Sequence, residues 1–152
     1  MDDFELSRYL QASPDATQRG PLETVLAYIA AFQAWSRDCH HWARHHRERV
    51  AELQSGPARD ALRQIQQVYC TLKHRPFQRD SSGYYFYGGT ADANPDGAQL
   101  TQQDKRSATV QTLRRPPHAP AFRFSLKKQG QVWRICSLER LNGCGTWEAD
   151  RL

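Results

Sequence analysis

From Leu22 to Gln54 the chain contains neither glycine nor proline. Within that run apolar residues fall at Val25, Ile29, Phe32, Trp35, Cys39 and Trp42. Steps of three and four place them on one face of an amphipathic helix, continuous or made of two helices joined at a bend near 44–48. A helix of that length is marginal in water unless its apolar stripe is covered from end to end. The rest of the chain must therefore supply a matching apolar surface. Ser55-Gly56-Pro57 ends the run, and a second helix is expected from Ala58 to Leu72, with Ala61, Leu62, Ile65, Val68, Tyr69 and Leu72 as its stripe. His74-Arg75-Pro76 stops it.

Past residue 76 the period changes from 3.6 to 2. Gly83-Tyr84-Tyr85-Phe86-Tyr87-Gly88 reads as an aromatic strand bounded by glycine. Residues 88–106 read as a long polar loop with room for a short strand. Strands are expected at 107–115, 122–128 and 132–140, with a last pairing suggested by Asn142-Gly143 ahead of Trp147. Phe122-Arg123-Phe124-Ser125-Leu126-Lys127 alternates cleanly, the pattern of a half-buried strand. Helices first and a strand meander afterwards define an α+β domain, with the helices packed on one face of a curved antiparallel sheet. Trp35, Ile29, Phe124, Leu126 and Ile135 are expected between the layers. Residues 1–20 read as a lead-in with a helical turn near Phe4 to Leu10, and residues 21–152 as a single domain.

A chain of 152 residues suits one domain with a real core. No stretch approaches the ~20 apolar residues of a membrane span. The acidic start Met1-Asp2-Asp3-Phe4-Glu5 lacks an apolar secretory segment, which predicts a cytoplasmic protein. The net charge is +5, but residues 1–20 are net negative and residues 107–152 net positive. No Lys/Arg run exceeds two residues, so the excess reads as a solvated face rather than a nucleic-acid footprint. Cys39, Cys70, Cys136 and Cys144 form no C-x-x-C pair, and reduced thiols without metal are expected.

The most chemical-looking segment is Cys39-His40-His41-Trp42-Ala43-Arg44-His45-His46. His41 and His45 share a helical face at a spacing that can chelate a metal, but the Glu of H-E-x-x-H is missing and arginines crowd the segment. Cys39 and His40 point about 100° apart on a helix and cannot form a dyad. Asp38 is the one candidate general base for a pocket. No Gly-rich phosphate loop is present. In the strand Tyr84 to Tyr87 one alternate pair should enter the core and the other should project outward. Tyr85 and Tyr87 are taken as the outward pair, because that keeps two hydroxyls hydrated.

The segment AFRFSLKKQGQVWRICSLERLNGCGTWEADRL resembles the C-terminal meander of nuclear transport factor 2-like immunity proteins of bacterial polymorphic toxin systems. The similar features are the strand Ala108 to Arg115 ending in Arg-Arg, the Phe-Arg-Phe strand with its Lys-Lys turn, and Trp-Arg-Ile. Ser137, Glu139 and the closing Gly145-Thr146-Trp147-Glu148 follow. PLETVLAYIAAFQAWSRDC is similar to the family's first helix, and the likeness covers roughly residues 21–152. It implies a cone-like fold and an antidote that binds the toxic C-terminal domain of a cognate effector and blocks it, without catalysis, cofactor or metal. Contacts would come from the sheet face and its loops: Tyr85, Tyr87, Arg114, Arg115 and His118. It implies no nucleic-acid or membrane partner and leaves room for a homodimer when free. Antidotes to basic nucleases tend to be acidic. This chain is basic, which points to a toxin of another activity or to contact through its acidic patches. The same cone could instead enclose the pocket of a small-molecule enzyme of the ketosteroid isomerase or dehydratase kind, using Asp38 and the histidines, or serve a ligand-binding adaptor.

Overall fold

A short helix α1 (Leu6–Leu10) precedes the long helix α2 (Pro21–His45). The structure, a computed structural model, describes residues 4–10, 15–54, 56–71, 88–117 and 119–150. The start of α2 is set by Gly20 in extended conformation and Pro21 in the first turn, where a missing N–H costs nothing. The Gly/Pro-free run does bend: α2 ends at His45, and Arg47–Gln54 continues as 3-10 turns with Arg49 at φ −116°. The reason is reach. The 25 residues of α2 already span about 37 Å, as long as a small domain is wide. Folding back lets Leu53 reach the core, where it is buried. Helix α3 (Pro57–Tyr69) follows, again with proline in its first turn.

Five strands form one antiparallel meander in the order β1 (Asn94–Gln103), β2 (Ser107–Leu113), β3 (Phe122–Gln129), β4 (Val132–Leu141) and β5 (Trp147–Asp150). The α+β class and three of the expected strands are therefore present. The long strand β1 lies where the sequence predicted a polar loop. It carries no apolar alternation because most of its side chains face solvent, and it tolerates Pro95 because it is an edge strand. The aromatic strand expected at 83–88 lies outside the described residues, except for Gly88. Beyond α3, the Thr71 N–H donates to the Ile135 carbonyl at 2.9 Å. The chain there runs parallel to the half of β4 that β5 leaves unpaired.

The inner face of the sheet is Ala108, Val110 and Thr112 from β2, Phe122, Phe124 and Leu126 from β3, and Trp133, Ile135 and Leu138 from β4, all buried. Ile135 and Leu138 differ in parity, yet both face inward. The register explains it: Ser125 pairs with Ser137 but Leu126 pairs with Ile135, so Cys136 is an extra, bulged residue that resets the alternation. Against this face α2 lays Trp35, Phe32, Tyr28 and Ile29, also buried. The Trp35 indole N–H donates to the Ala58 carbonyl at 2.9 Å, which ties α2 to the first turn of α3. Each such side chain contributes about 1.5–3 kcal/mol by leaving water. Phe4 and Tyr9 of the lead-in join this core rather than lying outside it. Among the described residues, no helix is long and apolar enough to cross a membrane.

Candidate functional site

The sequence pointed to the sheet face and its loops. Arg114 and Arg115 follow β2 and are exposed. The backbone of Arg115 exchanges hydrogen bonds with Ala119 at 2.9 and 3.0 Å, which pins the Pro116-Pro117 loop at its base. Its guanidinium donates to Asn94 Oδ1 at 3.5 Å. Burial pushes the Asp92 carboxyl up, the neighbouring Asp150 adds to this, and Arg115 partly offsets both. Tyr85, Tyr87 and His118 lie outside the described residues.

The outer face of the sheet carries Thr109, Gln111, Arg123, Ser125 and Glu139, all half-buried. The Arg123 guanidinium is fixed twice. It pairs with Glu139 at 2.9 Å and lies 4.3 Å from the ring centre of Trp147. Opposite-charge neighbours across strands and a cation over an aromatic face both hold the side chain in one rotamer. Leu113 stands beside this face with 53% of its surface exposed. Period-2 reading could have found Arg123 as an outward residue. Its stacking on Trp147 depends on where β5 returns, which no local pattern shows.

Asp38 is held by two partners from the N-terminal segment. It accepts hydrogen bonds from the Arg8 guanidinium at 2.8 Å and from the Tyr9 hydroxyl at 2.5 Å, and so clips α1 onto α2. Burial, together with the hydrogen bond to Asp38, holds the Tyr9 phenol well above its usual range. Cys39 is fully buried, and burial with the nearby Asp38 charge pushes its thiol far up. Cys70 is buried, Cys136 half-buried and Cys144 exposed, all as free thiols.

The histidine segment lines an open groove of about 1210 Å³ at the C-terminal end of α2. His41 and His45 pack against each other with ring centres 4.3 Å apart and ring planes tilted by 41°, and His45 Nδ1 lies 2.9 Å from the His41 carbonyl oxygen. Among the described residues, no group of three or more His, Cys, Asp or Glu side chains could hold a metal ion. Trp42 is engaged by the His46 ring at 4.3 Å and by the Arg49 guanidinium at 5.6 Å. Burial and the nearby Arg44 lower the His40 imidazole. Glu5 and Arg8 complete the groove from the N-terminal segment. The sequence marks the histidines, but the arrival of residues 5–8 beside them is purely tertiary.

No family model matches the chain, and no curated protein or solved structure matches it either.

Proposed function

We propose that this α+β domain is a nuclear transport factor 2-like cone acting as an immunity protein, which binds the toxic C-terminal domain of a cognate bacterial effector in the cytoplasm and occludes it without catalysis. The observation that carries the reading is the preorganised outer face, where Arg123 is clamped between Glu139 and Trp147 beside the exposed Leu113. Arg and Trp are the residue types enriched at binding hot spots, and side chains already fixed lose little entropy on docking. Arg114, Arg115 and the loop pinned behind them extend that surface. Tyr85, Tyr87 and His118 remain its sequence-derived contacts. The engagement of Asp38 by Arg8 and Tyr9 weighs against the enzyme reading, which needed that carboxylate as a base.

The test is growth rescue. Cells expressing the toxic domain encoded beside this protein should grow when it is co-expressed. Arg114→Ala with Arg115→Ala should weaken the complex by about 2–4 kcal/mol and abolish rescue, with the thermal melt unchanged. Full rescue by the folded double variant would move the interface elsewhere. Failure of the wild type against every neighbouring toxin would remove the immunity reading.

A further inference from the structure

The groove at the end of α2 plays no part in the surface just described. Three arginines, Arg8, Arg37 and Arg44, face two carboxylates there, Glu5 and Asp38. Asp38 is already committed to Arg8 and Tyr9. Four imidazoles, His40, His41, His45 and His46, stand among them and add positive charge as the pH falls. The helix C-terminus favours those charges, because its unpaired carbonyls carry the negative end of the helix dipole.

We propose that this groove seats an extended acidic segment of a protein partner, held more tightly as the pH falls. Charge complementarity selects an anion. The spacing selects an extended chain. Arg37, His41 and His45 succeed one another at about 6 Å along the helix axis, four residues at about 1.5 Å each. Alternate side chains of an extended peptide repeat at about 6.6–6.8 Å, so every second carboxylate meets a cation or an imidazole. The rings argue for peptide over nucleic acid. His41 and His45 pack tilted against each other, and Trp42 is engaged by His46 and Arg49, so the aromatic surface that would receive bases is already in contact with other side chains. The charged groups bearing on the imidazoles are Glu5 and Arg8 from the N-terminal segment, Arg37, Asp38 and Arg44 from α2, and Arg49 and Glu52 from the 3-10 turns. Burial and Arg44 lower the His40 imidazole.

The inference rests on the binding reading only in taking the partner to be a protein. Its test involves no toxin, so failure here and failure of growth rescue are separate results. The probe is a fluorescently labelled deca-glutamate peptide, followed by anisotropy in low salt at about pH 7.5 and about pH 6.0, a range across which imidazoles change charge and glutamates do not. Binding should tighten about fivefold or more at the lower pH. Arg37→Gln with Arg44→Gln should weaken it about tenfold, while the charge-matched Lys105→Gln with Arg106→Gln, on the β1–β2 turn, should change it less than about twofold. His41→Gln with His45→Gln should retain binding at the higher pH and lose most of the gain at the lower. Far-UV circular dichroism confirms that each variant is folded. Equal losses in the groove and turn variants, a pH-independent affinity, or tighter binding of a deca-thymidylate than of the peptide would each overturn the proposal.

Discussion

Tyr9 shows how much one side chain can tie together. It is 5% exposed and donates to Asp38, which also accepts from Arg8, so a single carboxylate fastens a five-residue helix to a twenty-five-residue one. A phenol whose folded pKa is raised contributes stability that is fully present below its unfolded pKa of about 10 and is lost as pH climbs above it. Fully buried Tyr28 and buried Cys39, both pushed up by burial, act in the same direction. Stability should therefore be flat from about pH 7 to about pH 8, begin to fall once the unfolded-state thiol ionises at about pH 8.5, and fall more steeply above about pH 10. Urea unfolding followed by circular dichroism across that range measures it. Tyr9→Phe should lose about 1 kcal/mol at neutral pH for the missing hydrogen bond, and should fall less steeply than the wild type above about pH 10. Parallel curves for the two proteins would show that Tyr9 is not a source of the alkaline loss. The sequence marks Tyr9 only as part of a lead-in, because its partner stands 29 residues away.

Strand β1, ten residues long, exceeds the short strand that the sequence allowed within a polar loop, and Gly97 is what shapes it. Gly97 sits at φ +77°, within the register shift between Asn94 and Gln99 of the β1–β2 pairing, and a Cβ there would lie 2.6 Å from Leu113 Cδ1. Gly130, in the β3–β4 turn, has a similar φ of +63° with open space around it. A side chain in the left-handed region costs roughly 1–2 kcal/mol on backbone grounds alone. Gly130→Ala should cost about that much, and Gly97→Ala about 1 kcal/mol more, because Leu113 must swing aside. Combining Gly97→Ala with Leu113→Ala should remove the excess but not the backbone cost. Equal costs for the two glycines, read by chemical denaturation, would mean that Leu113 yields freely. The amphipathic helices and β3 were legible because each buries an apolar stripe at its own regular spacing. A polar edge strand draws its order from hydrogen bonds to a neighbour, and hydrogen bonding leaves no apolar period in the sequence.

Across the whole molecule the four thiols report how tightly the layers close. With Cys144 exposed, Cys136 half-buried and Cys39 and Cys70 buried, the native protein should release one equivalent quickly with a chromogenic disulfide, a second slowly, and the last two only in denaturant. Burst reaction of two or more thiols in native buffer would show that the helix layer opens readily. The sequence by itself determined the class of this protein. The change of period near residue 76 separates helices from strands, and the positions of Trp35, Ile29, Phe124, Leu126 and Ile135 define the layer between them, because burying an apolar face is a local demand that each element carries in its own spacing. Only the tertiary structure decided which polar groups meet. Asp38 was joined to Arg8 and Tyr9, Arg123 was set over Trp147, and Glu5 and Arg8 closed the histidine groove. The physical reason is that polar contacts are directional and short-ranged. Their partners lie 30 residues apart for Arg8 and Asp38 and 67 for Arg134 and Gln67, and no periodicity within a segment encodes where a distant segment will return.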